Sequence, residues 1–102
     1  MSDVAEEINL IAIFRARQGH AEDVRNLIVA YGDFVRSEPG NVFFEIYNDS
    51  ADHHDFVIVE RYHNQAGFDA HLGTAEGRAF NVALGPLIEG DGSELQFLRR
   101  LT

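Results

Sequence analysis

An α+β fold with the element order β-α-β-β-α-β is predicted by three observations. Four runs rich in β-formers are present, two apolar stripes at helical spacing separate them, and Gly, Pro, Asn and Asp mark the breaks. This order is the split βαβ, or ferredoxin-like, arrangement. It implies an antiparallel sheet with the first and third strands central, the second and fourth at the edges, and the helices on one face.

Each element has its own signal. A short disordered lead precedes a first strand at about Ile8 to Arg15, and Gln18-Gly19-His20 forms the turn after it. Glu22 and Asp23 sit where a helix N-terminus favours negative charge. Val24, Leu27, Ile28, Tyr31 and Val35 then repeat with the period of an amphipathic helix. Ser37-Glu38-Pro39-Gly40 ends it, because proline cannot continue the helix and glycine permits the turn. A second strand, about Val42 to Tyr47, leads through the polar segment Asn48 to Asp52 into the third, Phe56 to Tyr62. Asn64 is placed to cap a helix whose inward stripe is expected to hold Phe68, His71 and Leu72. Gly73-Thr74 breaks and recaps the chain before a stripe of Ala79, Phe80, Ala83, Leu84 and Leu87. Gly85-Pro86 and Gly90-Asp91-Gly92 hand over to a last strand, about Glu94 to Leu101.

Composition bounds the function. A chain of 102 residues is expected to form one domain over residues 1–102, and so small a domain buries only roughly 60–65% of its unfolded surface. Both strand faces are apolar: Phe44 and Ile46 alternate with Phe43 and Tyr47, and Phe56 and Ile58 with Val57 and Val59. Helices cover one face of such a sheet, so the other is expected to pack on a second copy as a homodimer. The net charge of −9 argues against nucleic acid and anionic membranes as partners. All eight basic residues are Arg, which excludes a Schiff-base mechanism at a lysine, and zero Cys excludes thiolate chemistry and Cys-ligated metal. The opening MSDVAEE is acidic without an apolar core and no membrane-length apolar run follows, so a cytoplasmic protein is expected.

Chemistry is expected where the third strand ends and the next helix begins. Glu60 shares the parity of Phe56 and Ile58, which favours partial burial over an exposed strand-end carboxylate. His71, from the residues alone, reads first as a core-edge histidine satisfied by a backbone carbonyl. Tyr47, Tyr62 and Asn81 are packing or capping residues first and pocket donors second, and Asn9 is the odd polar residue of the first strand. Asp52-His53-His54-Asp55 invites a metal reading. Adjacent side chains on an extended chain point apart, however, so a solvated hairpin loop is favoured and no metal is expected. No G-x-G-x-x-G or Walker pattern suggests a nucleotide.

Several landmarks together resemble the antibiotic biosynthesis monooxygenase domain family, from about Ile8 to Leu101. They are Arg15-Ala16-Arg17-Gln18-Gly19, Glu38-Pro39-Gly40, Phe44-Glu45-Ile46-Tyr47, Glu60-Arg61-Tyr62, Phe68 and Asp69-Ala70-His71-Leu72. Tyr62 stands where the family often has Trp. The resemblance implies a dimeric ferredoxin-like protein. Its known members include cofactor-independent quinone-forming monooxygenases, haem-degrading enzymes and an isomerase of a phosphorylated signalling sugar. The haem-degrading relatives rely on a helix Trp, and this chain has none, so haem is disfavoured.

The expected activity is therefore cofactor-free oxidation of a small phenolic or hydroquinone-like aromatic by molecular oxygen. Such a substrate supplies its own electrons once deprotonated, and the protein provides a base and a dry pocket. The resemblance at Asp69-Ala70-His71-Leu72 implies His71 as the base, a role that suits an imidazole with an unperturbed pKa near ~6.5, and Glu60 is its expected orienter. Phe44, Phe56, Phe68, Phe80 and Tyr62 are candidates for an aromatic wall. The alternatives are a cofactor-free isomerase of a small carbonyl compound using the same pair, and a non-catalytic module that binds a small aromatic.

Overall fold

The computed structural model describes residues 6–102, so part of the expected disordered lead, residues 1–5, lies outside the described residues. In chain order it contains β1 (Ile8–Arg15), α1 (Ala21–Arg36), β2 (Asn41–Asn48), β3 (Asp55–Tyr62), α2 (Gln65–Leu72), α3 (Ala75–Leu84), a 3-10 turn (Gly85–Leu87) and β4 (Glu94–Leu98). The four strands form one antiparallel sheet in the order β2-β3-β1-β4, the ferredoxin-like arrangement. The break at Gly73-Thr74 divides the second helical region in two, so the order is β-α-β-β-α-α-β. β4 stops at Leu98, three residues earlier than expected.

Burial alternates strictly along β3: Phe56, Ile58, Glu60 and Tyr62 are buried, while Val57, Val59 and Arg61 are partly exposed. Its partner β1 does the same, with Leu10, Ala12 and Phe14 buried beneath the helices. In antiparallel register Leu10 lies opposite Glu60 and Phe44 opposite Glu60 on its other side, so these three share the helix face. The core is this face together with Val24, Ile28, Val35, Phe80 and Leu84 of α1 and α3. On the opposite face Ile11, Ile13, Val57 and Val59 remain partly exposed, and the Arg61 guanidinium lies 4.9 Å from the centre of the Phe43 ring. The expected inward stripe of α2 needs correction. Phe68 is buried and His71 nearly so, but Leu72 is 58% exposed, because the break after it turns the chain before a second inward turn can form.

Caps fix both short helices. Asn64 accepts a hydrogen bond from the Gly67 N–H at 2.9 Å, and Thr74 accepts one from the Gly77 N–H at 3.0 Å. The start of β2 is tied to the end of β3 by the His63 N–H, which donates to the Gly40 carbonyl at 2.9 Å. Here α2 crosses the loop before β2 with no side chain between them. A Cβ added at Gly40 would lie 2.6 Å from the Gly67 Cα.

That contact yields a direct test. Gly40→Ala is expected to destabilise by about 1–3 kcal/mol through overpacking against backbone. Gly85→Ala, where an added Cβ meets nothing within 4 Å, serves as a control expected to be near neutral. Urea denaturation of both variants measures the difference, and equal midpoints would refute the close-crossing account.

Candidate functional site

A cavity of about 420 Å³ lies between the sheet and the helices, within the range of roughly 300–1,000 Å³ common for small-molecule sites. Leu10, Ala12, Phe44 and Ile58 form its sheet wall, and Phe68, Phe80 and Leu84 come from α2 and α3. Two groups make this apolar space chemical: Glu60, carried in by the β3 alternation, and His71, carried in by the capped helix α2.

Their geometry differs from the expected pair. The His71 Nδ1 bonds not to Glu60 but to Glu38, at 3.0 Å and 3.2 Å from its two carboxylate oxygens. A carboxylate accepts, so Nδ1 carries the hydrogen and the neutral ring keeps its lone pair on Nε2. Nε2 lies 4.0 Å from Glu60 Oε1, too long for a hydrogen bond. Glu60 Oε1 instead accepts from the Tyr62 hydroxyl at 2.7 Å. The side chains of Glu38, His71 and Glu60 are only 10%, 11% and 7% exposed. One imidazole is thus flanked by two nearly buried carboxylates, and Glu38 is the one that hydrogen-bonds it.

Burial raises the Glu60 carboxyl, the Tyr62 hydrogen bond partly offsets this, and the charge of Glu38 adds to it, leaving a pKa of about 7. Burial, and then the charge of Glu60, push the Tyr62 phenol well above its ordinary value, so it acts as a donor throughout. The site therefore holds a group that exchanges a proton near neutrality beside a base with a free lone pair.

The remaining expected site residues divide by location. Phe44, Phe68, Phe80 and the exposed Asn81 line the cavity. Phe56 is a core residue stacked on Phe14 at 5.4 Å, and Tyr62 stands behind Glu60. Asn9 and Tyr47 are corrected outright, since both lie on the opposite sheet face. Asn9 accepts from Arg61 there, at 2.6 Å, and the Tyr47 hydroxyl donates to Glu45 at 3.1 Å. Glu38 and Tyr31 were missed as site residues. Topology offered the signal for Glu38. The start of β2 pairs with the end of β3, so the loop before β2 must lie beside the turn that leads into α2.

The Asp52 to Asp55 segment is the expected hairpin loop between β2 and β3. It turns rather than extends, which brings donor atoms of Asp52, His53 and His54 within 4.8 Å of one another. The cluster is already engaged. The His54 backbone N–H and the Arg15 guanidinium both bond Asp52 and hold its carboxyl well below the usual range, and Arg15 also bonds Asp55 at 3.0 Å. The guanidinium holds the Asp52 Oδ2 atom, and His54 holds Oδ1.

Fold and cavity together define a small α+β protein with a histidine and two nearly buried carboxylates at an aromatic pocket. The family profile described as antibiotic biosynthesis monooxygenase matches residues 8–83, and the chain belongs to that family. Similar solved structures include PA3566 from Pseudomonas aeruginosa, at 26% identity over 95% of this chain and 96% of that one, with a TM-score of 0.87. Rv0793 from Mycobacterium tuberculosis is similar at 23% identity over 94% and 96%, with a TM-score of 0.86. SnoaB, a cofactor-independent oxygenase from Streptomyces nogalater, shares the fold at 15% identity over 95% of each chain, with a TM-score of 0.83. A comparison with curated proteins gives no match. No helix among the described residues is long and apolar enough to cross a membrane.

The raised Glu60 carboxyl sets a pH dependence. Below about 4.5, its ordinary value, Glu60 is protonated in the folded and unfolded chain alike, and it costs nothing. Above about 7 only the folded chain must hold the charge in a buried place, so wild-type stability falls across that window, by roughly 3 kcal/mol at most. Glu60→Gln keeps an acceptor for Tyr62 and does not titrate. It is expected to match the wild type near pH 4.5 and to exceed it at pH 8 in urea denaturation. Parallel stability profiles for the two proteins would contradict the buried-charge assignment.

Proposed function

We propose that this protein is a cofactor-independent monooxygenase that oxidises a small phenolic or hydroquinone-type aromatic to a quinone. The observation that carries this reading is the His71 imidazole, oriented through Nδ1 by Glu38, presenting Nε2 at the end of an aromatic cavity that also holds Glu60. Membership of the monooxygenase family and the fold shared with a cofactor-independent oxygenase support it.

In this reading His71 Nε2 removes the substrate's hydroxyl proton, and the electron-rich ring then reduces molecular oxygen. One oxygen atom enters the ring and the other leaves as water, so four electrons come from the substrate and none from a bound cofactor. The carboxylate of Glu38 offsets the positive charge that forms on the imidazole. Glu60 then receives or returns a proton near neutrality, and the Phe44, Phe68 and Phe80 rings exclude water.

Oxygen uptake with a panel of hydroquinones, under air and under argon, tests the reading. Oxygen-dependent quinone formation is expected, whereas turnover that persists under argon would indicate the isomerase and no turnover at all a binding module. His71→Ala is expected to lose about 10²–10⁴-fold of the rate, the usual worth of general-base catalysis, with little change in melting temperature. Glu38→Gln, which still accepts from Nδ1 but carries no charge, is expected to lose less. Full activity with an early thermal transition in His71→Ala would make the imidazole a packing residue.

The proposed assembly is a homodimer, supported by Ile11, Ile13, Val57 and Val59 on a sheet face that the helices leave uncovered. Sedimentation equilibrium at micromolar concentration is expected to return twice 11.4 kDa. A folded monomer would remove the basis for a second copy.

A further inference from the structure

Helix α1 contributes two side chains to the cavity, Ile28 and Tyr31. The Tyr31 ring is held on several sides. It stacks on Phe80 at 4.2 Å with planes 8° apart, meets Phe44 edge-on at 6.1 Å, and lies 6.2 Å from the His71 ring. Its polar head lies against Gly77, where an added Cβ would come 2.9 Å from the Thr74 cap oxygen and 3.0 Å from the Tyr31 hydroxyl oxygen, both tighter than ordinary packing. Glycine within a helix costs about 1 kcal/mol relative to alanine, and at this position it leaves the phenol its room.

The Tyr31 hydroxyl has no hydrogen-bond partner among the described residues, and no fully buried polar side-chain atom there goes unpaired, so the hydroxyl is not sealed in the protein, and its residue lines the cavity. The other phenol near the site, Tyr62, is occupied by Glu60. Burial, together with the charges of Glu38, Glu60 and Glu76, raises the Tyr31 phenol to about 12, so it is a neutral donor at any working pH. A substrate oxygen that gives up its proton to His71 becomes negative, and a fixed donor that does not itself titrate in the working range stabilises that charge.

We propose that the Tyr31 hydroxyl donates a hydrogen bond to the oxygen substituent of the aromatic substrate and selects ligands that carry one. Tyr31 is then a catalytic residue that touches the reacting oxygen, with its ring fixed by Phe80 and Phe44. This assignment rests on the oxygenase reading for the identity of the substrate, but its test does not require turnover.

The probes are 1-naphthol and naphthalene, titrated by their own fluorescence into wild type, Tyr31→Phe and Gly77→Ala. Wild type is expected to bind 1-naphthol more tightly than naphthalene. Tyr31→Phe, which keeps the stacked ring, is expected to shrink that preference by about five- to tenfold, the worth of one hydrogen bond. Gly77→Ala, which crowds the hydroxyl, is expected to shrink it in the same direction. An unchanged preference in Tyr31→Phe overturns the proposal. If that variant does not fold, equal affinity of wild type for the two probes overturns it as well, while a preference lost in Gly77→Ala sustains it. Failure of oxygen uptake with a normal naphthol preference would sink the oxygenase reading alone.

Discussion

At Gly40 and Gly67 two backbones meet with no side chain between them, and the functional geometry depends on that contact. Glu38 lies two residues before the crossing and His71 four residues after it, one turn further along α2. A side chain at either glycine would hold α2 off the loop, and the 3.0 Å bond between Glu38 and the imidazole is short enough to be lost by a displacement of one ångström. Rigid positioning here comes from omitted atoms rather than added ones. The Asn64 cap and the His63 to Gly40 hydrogen bond hold the same corner, so the crossing is supported from both strands.

What the crossing assembles is electrostatically unfavourable at rest. Two carboxylates share a nearly dry space, and Glu60 responds by holding its proton to about pH 7. The imidazole lies between the two, bonded to Glu38 at 3.0 Å and 4.0 Å from Glu60. An apolar core of the same size would be more stable and inert.

Much of this was legible because β-strand parity is a strong constraint. Glu60 shares its face with Phe56, Ile58 and Tyr62, and the structure buries all four. The same rule would have placed Asn9 and Tyr47 correctly: they alternate with Leu10 and with Phe44 and Ile46, and so belong to the other face. Asn64 and Thr74 announced the starts of α2 and α3 through capping chemistry. The partner of His71 was not legible in the same way. Sequence distance paired it with Glu60, 11 residues away, whereas Glu38 is 33 away and is reached only through the antiparallel pairing of β2 with β3. Tyr31 was read as a helix-stripe residue, and correctly so for its ring. Its hydroxyl lies against Gly77, on a helix that no local pattern connects to α1.

β4 is five residues long, pairs only with β1, and every one of its residues is exposed in the single chain. It is entered through a segment with two glycines at positive φ, Gly90 and Gly92. Little buried area resists its separation from the sheet, so in amide exchange its N–H groups belong to the least protected class, far below those of β1 and β3. Leu95 of β4 lines the cavity, and Phe97 meets the Phe68 ring at 5.6 Å. One wall of the pocket is thus carried by an exposed edge strand, while Glu60 stands on the central strand β3 and Tyr31 on the longest helix.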